Sequence, residues 1–247
     1  MAVIENIELG QAHVRCWQRP QLGTPKQWFQ PSFWQQQQAV VGQSKGRNTV
    51  WFVTDGEREL VLRHYYRGGL PGKLIRDLFL YTGLERTRSI AEFNLLHYMH
   101  AQGLPVPKPV AARVYRLGLS YQSDILIERV PASMDLFTVL QKRSLTSDEW
   151  QHLGAVIAQF HKAGVQHSDL NCHNILISSD QQHSVWLIDF DRCDIRQPGA
   201  WQERNLKRLK RSLQKERSKF ANFFWQEQNW QQLLQGYNGD IRKLSNQ

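Results

Sequence analysis

The sequence predicts an α+β fold in which antiparallel strands fill the first part of the chain and helices fill most of the second. Two β-forming runs, "TVWFV" and "ELVLR", flank "TDGE", whose Asp-Gly pair is the signature of a tight hairpin turn. Further on, "TSDEWQHLGAVIAQFHKAG" carries its apolar residues at helical spacing. The order of elements, strands, one helix, a linker strand and then mostly helices, separates the two kinds instead of alternating them. A chain of 247 residues is long enough for one large domain or for two lobes sharing a cleft. The expected division is residues 1–130 and residues 131–247. A hydrophobic content of 41% and nine Trp exclude a disordered chain.

Taken in order, the start "MAVIENIELGQAH" has no basic region followed by an apolar one, and no run of about 18 apolar residues occurs anywhere. The expectation is a chain that stays cytoplasmic. From Val40 to Arg63 the pattern reads as a three-stranded antiparallel meander, with Gly42 and Gly46 of "GQSKG" where the first strand turns into the second. "RSIAEFNLLHYMHAQG" places Ile90, Phe93 and Leu96 close to helical spacing and stops at Gly103. Prolines hold "LPVPKPVAARVYR" extended, and the apolar run "SDILIERV" ends at Pro131. The second part opens with "MDLFTVLQKRS". Its next helix is capped by Thr146 or Ser147 with Glu149 in the first turn, and Leu153, Val156, Ile157 and Phe160 give it a buried face. Cys16, Cys172 and Cys193 form no CxxC pair, so reduced thiols are expected and a cysteine zinc site is not. His97 and His100 lack a third ligand and read as packing or surface residues.

The formal charge of +9 calls for an anionic partner: nucleic acid, an acidic membrane surface or a phosphorylated ligand. Residues 201–220 hold eight Lys or Arg against two Glu, a net +6, so the excess is local. Leu206, Leu209, Leu213 and Phe220 follow helical spacing among those cations. Such a helix is either a solvated basic face or a surface for anionic lipid, and no nucleic-acid module accompanies it.

The chemistry concentrates in "HSDLNCHNILI" and "VWLIDFDR". Asp169 is followed five residues later by Asn174 and the strand "ILI", and Asp189 ends the strand "VWLID". Two buried strands with a carboxylate, an amide and a carboxylate at their mouth suit Mg²⁺, which takes hard oxygen ligands, one or two carboxylates, and substrate phosphates. Asp169 is then left to accept a proton from an alcohol, and the reaction is phosphoryl transfer.

These residues resemble the protein-kinase-like superfamily. "HSDLNCHN" follows the catalytic-loop pattern H-x-D-L-x-x-x-N at His167, Asp169, Leu170 and Asn174, and "DFD" from Asp189 stands where D-F-G is expected. The resemblance implies a bilobal kinase-like fold with ATP in the cleft, Asp169 as catalytic base, His167 bracing the loop, and Asn174 and Asp189 holding Mg²⁺. It also implies that Gly42 and Gly46 belong to a shortened glycine-rich loop and that Glu92 pairs with a strand cation. "LVLR" stands where "VAIK" is expected, so Arg63 replaces the lysine, with Lys73 as the other candidate. Position 171 is Asn where Ser/Thr protein kinases carry Lys, no A-P-E is present, and 56 residues follow Asp191, too few for a peptide-binding lobe. The substrate class is therefore a small hydroxyl compound or a glycolipid.

Within that superfamily, "VLRHYYRGGLPGKL", "RSIAEFNLL", "HSDLNCHNIL", "LIDFDR" and "NLKRLKRSL" are similar to the 3-deoxy-D-manno-octulosonic acid (Kdo) kinases. That similarity implies phosphorylation of the Kdo 4-hydroxyl on Kdo-lipid IVA by a peripheral enzyme at the cytoplasmic face of an anionic inner membrane. Neither a nucleic acid nor a protein partner is expected. Another sugar kinase of the same fold, a heptose kinase or an antibiotic phosphotransferase, is the alternative enzyme. A non-catalytic kinase-like binding protein is the alternative outside enzymes, left open by Arg63.

Overall fold

Glycine begins the structure's first turn: Gly10, at φ 70°, joins β1 (Glu5–Leu9) to β2 (Ala12–Cys16) in an antiparallel hairpin. This computed structural model describes residues 3–45, 49–67, 77–179 and 184–245. After the hairpin come α1 (Pro31–Gln36), β3 (Val40–Lys45), β4 (Thr49–Thr54), β5 (Glu59–His64), β6 (Phe79–Leu80), α2 (Arg88–Ala101), β7 (Pro109–Leu117) and β8 (Ser120–Glu128). The main sheet runs β1-β2-β7-β8-β5-β4-β3 with every pair antiparallel, and β6 adds to β8.

The β3–β5 meander agrees with the sequence expectation, and Asp55 explains its second turn by accepting backbone bonds from Glu57 and Arg58. Gly42 differs from expectation. It lies inside β3 beside a bulge, opposite Phe52, and a Cβ there would come within 3.3 Å of the Phe52 ring. Close packing, not a turn, accounts for that glycine. The proline-extended segment is a true strand, β7, placed between β2 and β8. Val14, Trp28, Trp34, Val53, Leu60 and Leu126 are among the side chains that close this core.

The second part contains β9 (Ser133–Asp135), α3 (Leu136–Lys142), α4 (Ser147–Lys162), β10 (Val165–Gln166), β11 (Ile175–Ser178), β12 (Val185–Leu187), β13 (Asp194–Ile195), α5 (Trp201–Lys219) and α6 (Glu227–Ser245). The chain thus forms two units, residues 1–100 with 107–129 and residues 101–106 with 130–247. Thr146 caps α4 in a full capping box with Glu149, and Leu153, Val156, Ile157 and Phe160 are buried as expected. Helix α6 crosses α4 at two glycines. A Cβ on Gly154 would lie 1.9 Å from the Leu233 carbonyl oxygen, and one on Gly236 would lie 1.9 Å from that of Gln151.

The basic helix is present, but its buried face differs from the expected one. Trp201, Asn205, Leu209, Leu213 and Glu216 are buried, whereas Leu206 is half-buried and Phe220 lies beyond the last turn. Four-residue spacing from Trp201 sets that stripe, so a polar residue, Asn205, takes an inward position.

Candidate active site

In the second unit, β11 and β12 pair antiparallel, and the loop before β11 carries Asp169 and Asn174 while the segment after β12 carries Asp189. The Ile188 N–H donates to the Asn174 carbonyl (3.0 Å), which closes the mouth of this hairpin. His167 is buried and ties the two sides together. Its Nε2 donates to the Ile188 carbonyl (3.0 Å) and its Nδ1 accepts from the Asp169 N–H (3.2 Å). Those two bonds require the neutral tautomer with the proton on Nε2, and burial, the largest influence, holds the His167 pKa below its ordinary value. The ring also rests on Phe190 (4.9 Å between centroids), which stacks on Phe160 (6.0 Å).

The loop is braced from within. Asn171 Nδ2 and Asn174 Nδ2 both donate to the Asp169 carbonyl oxygen, at 2.9 and 3.0 Å, and Asn171 Oδ1 accepts from the His173 N–H (2.8 Å). With its amide nitrogen engaged, Asn174 offers Oδ1 as a hard oxygen donor. Asp189 sits at φ 64°, a left-handed conformation that Asp tolerates better than most residues. This donor set fits Mg²⁺. Among the described residues no group of three His, Cys, Asp or Glu is placed to hold a metal alone, so a cation here needs substrate oxygens as well. Cys172 is an inert packing thiol, pushed up to about 11 mainly by burial, and His173 is raised by its bond to Asp135.

Helix α5 supplies residues that sequence reasoning missed. Asn205 accepts from the His167 N–H (3.2 Å) and donates to the His167 carbonyl (2.9 Å), and the Ser212 hydroxyl accepts from the Cys172 N–H (3.2 Å). Arg208, between them on the same face, donates through Nε (2.8 Å) and Nη2 to Asp169 Oδ1. The signal was available as a polar i, i+3, i+7 series on an amphipathic helix.

In the first unit, Arg63 on β5 forms an ion pair with Glu92 on α2, whose side chain is only 2% exposed. The Tyr65 hydroxyl donates to the same Glu92 oxygen (2.5 Å) and accepts from Arg63 Nη2 (3.2 Å), while the guanidinium lies 4.9 Å from the Tyr65 ring. Burial raises the Tyr65 pKa well above its usual value, so the phenol stays a donor. Gly42 is half-buried in β3, and Gly46 and Lys73 lie outside the described residues. His97 and His100 pack edge-on against Trp17 at 4.6 and 5.2 Å.

The model of the lipopolysaccharide kinase (Kdo/WaaP) family matches residues 31–237. The chain belongs to that family. Among relatives of this lipopolysaccharide kinase, the 3-deoxy-D-manno-octulosonic acid kinase of Photobacterium damsela subsp. piscicida is 48% identical over 211 residues, covering 85% of this chain and 87% of the relative. The protein of the same name from Vibrio vulnificus strain YJ016 is 44% identical over 236 residues, covering 95% and 98%. A solved structure described as WaaP in complex with acyl carrier protein matches with a TM-score of 0.54 at 16% identity, covering 81% of this chain and 79% of that one. At that identity the likeness speaks to a shared kinase fold. The lipopolysaccharide kinase therefore has the α+β kinase-like architecture that its sequence predicts.

Proposed function

We propose that this chain is an ATP-dependent 3-deoxy-D-manno-octulosonic acid kinase that phosphorylates the 4-hydroxyl of Kdo on Kdo-lipid IVA. The observation that carries the reading is the 44–48% identity, over most of both lengths, to proteins of that name. Asp169 accepts the proton as the acceptor hydroxyl attacks the γ-phosphorus, the bond from that phosphorus to the β–γ bridging oxygen breaks, and ADP leaves. His167 acts through Asp169: as a neutral donor to Ile188 and acceptor from the Asp169 N–H, it fixes the backbone that aims the carboxylate. Asn174 Oδ1 and the Asp189 carboxylate hold Mg²⁺, which when bound neutralises phosphate charge. Arg63, oriented by Glu92 and Tyr65, contacts the ATP phosphates in place of a lysine, and Gly42 and Gly46 are the glycines assigned to nucleotide binding, Gly46 lying outside the described residues. The fork already engaged by Glu92 is the reason to prefer Arg63 over Lys73 for this role.

Among the described residues no helix is long and apolar enough to cross a membrane. The enzyme works as a peripheral protein at the cytoplasmic face of the inner membrane, where its acceptor lies. Incubation with γ-labelled ATP and a panel of Kdo-lipid and heptosylated acceptors tests the reading. Label on Kdo, located at O-4 by NMR of the product, is expected. Label confined to heptose would transfer the chain to another sugar-kinase activity of the same fold.

A further inference from the structure

The Arg208–Asp169 pair occupies one oxygen of the carboxylate to which the proposed mechanism assigns proton transfer. Both guanidinium donors, Nε and Nη2, converge on Oδ1 of Asp169, so that oxygen cannot take up a hydroxyl proton while the pair is made. The pair is nevertheless open to exchange. Asp169 is 49% and Arg208 46% exposed, and exposed ion pairs of this kind give little net stability.

Beside the pair lies a hollow of about 550 Å³ lined by Ser168, Arg204, Asn205, Arg208 and Arg211, among others. Two further cations of that hollow are already neutralised, Lys207 by Glu203 (2.6 Å) and Lys210 by Glu227. Arg204 and Arg211 have no carboxylate partner among the described residues. They stand four and three residues from Arg208, so three guanidiniums share one helical face, an arrangement that like-charge repulsion disfavours unless an anion lies among them. The helix is well anchored for such a role. Asn205 and Ser212 fasten it to the backbone of His167 and Cys172, which fixes the hollow relative to Asp169.

We propose that Arg208 is an acceptor-sensing latch: a carboxylate on the acceptor sugar enters the hollow between Arg204 and Arg211, draws the Arg208 fork off Asp169, and so releases the base only when the correct substrate is bound. The inference rests on Asp169 being the base. Planar guanidinium forks bind carboxylates in two-point geometry, which sets orientation as well as charge. The acceptor class that satisfies the site is therefore a sugar acid whose carboxylate lies close to the hydroxyl to be phosphorylated. The latch also predicts restraint in the absence of acceptor, because the Asp169 carboxylate is then held toward Arg208 through Oδ1.

The test uses the full-length enzyme with two soluble acceptors, a Kdo glycoside and its methyl ester, and measures both phosphoryl transfer and acceptor-free ATP hydrolysis. For the parent, the free carboxylate should be preferred over the ester by on the order of 10²-fold in kcat/KM, the scale of one lost charge-assisted pair. In Arg208→Gln that preference should collapse to a few-fold, mainly through KM for the carboxylate acceptor, while ATP hydrolysis without acceptor rises. Arg208→Lys, which keeps the charge and loses the fork, should fall between. Asp169→Asn should lower transfer and hydrolysis alike by about 10² to 10⁴-fold. If Asp169→Asn falls by that much and Arg208→Gln retains the parent's preference for the free carboxylate, the latch is wrong and the base stands. If Asp169→Asn stays close to the parent, the base assignment itself fails. If Arg208→Gln loses activity only toward vesicle-embedded acceptor and not toward the soluble glycoside, the helix serves the membrane and the latch is overturned.

Discussion

The enclosed Glu92 carboxylate meets both the Arg63 guanidinium and the Tyr65 phenol, and those contacts decide what substitutions nearby do. Removing one partner of a buried ion pair leaves an uncompensated charge, at a cost of about 3–5 kcal/mol. Arg63→Ala is therefore expected to lower unfolding free energy by that amount in a denaturant titration and to raise the KM for ATP. Arg63→Lys should recover most of the stability and only part of the ATP affinity, since an ammonium cannot serve Glu92 and Tyr65 as a fork does. An Arg63→Ala protein with parental stability and activity would return the role to Lys73. The pairing of Arg63 with Glu92 was legible from the kinase pattern, because "LVLR" and "IAEF" sit at expected places. Tyr65 was not, although a residue two positions beyond Arg63 in extended chain shares its face. No kinase signature names that tyrosine, so only the fold reveals that it joins the pair.

The two helices that close the second unit differ in how they could be read. α5 announced itself by charge, yet the charge concealed its inward polar residues Asn205 and Ser212, which bond to the catalytic loop. α6 had an i, i+3, i+7 series in Trp230, Leu233 and Tyr237, all buried, but a glutamine-rich surround and two internal glycines weakened the signal. One of them, Gly236, has a structural reason, since α4 and α6 touch backbone to backbone at Gly154 and Gly236, whereas a Cβ on Gly239 would meet nothing within 4 Å. Gly236→Ala should improve helix propensity and still destabilise, because no flexible side chain can move aside for the new methyl. Forced overpacking of this kind costs about 1–3 kcal/mol, which for a chain of this size lowers Tm by roughly 2–4 °C per kcal/mol. Calorimetry of Gly236→Ala checks it, and an unchanged or higher Tm would mean that the helices part without cost. The N-terminal hairpin β1–β2 was overlooked for another reason. Its alternation is clean only on β2, whose partner β7 is distant in sequence, and register with a remote strand leaves no local trace.

At the scale of the whole molecule, acid sensitivity follows from histidines buried without charge. Burial pushes His161 down from 6.5 to about 4, and its ring accepts or donates a bond to the Tyr237 hydroxyl (2.8 Å) at the junction of α4 and α6. Between these values the unfolded chain binds the proton more readily than the folded one. The contribution is thus complete above pH 6.5, declines as pH falls toward 4, and is gone below, a difference on the order of 3 kcal/mol. The fall in Tm between pH 7 and pH 4.5 should be smaller for His161→Gln than for the parent, and equal falls would reject the assignment. The overall architecture, strands first and helices later, was legible because α+β segregation shows in element order. What was hidden is how one basic helix divides its cations between solvent and the catalytic loop. That Asp169 is the base of phosphoryl transfer to a sugar hydroxyl is checked by comparing parent and Asp169→Asn in labelled-ATP transfer to Kdo-lipid IVA at saturating substrates, with nucleotide affinity measured alongside. A fall in turnover of about 10² to 10⁴-fold with ATP affinity within a few-fold of the parent is expected, and turnover close to the parent's would overturn the assignment of Asp169.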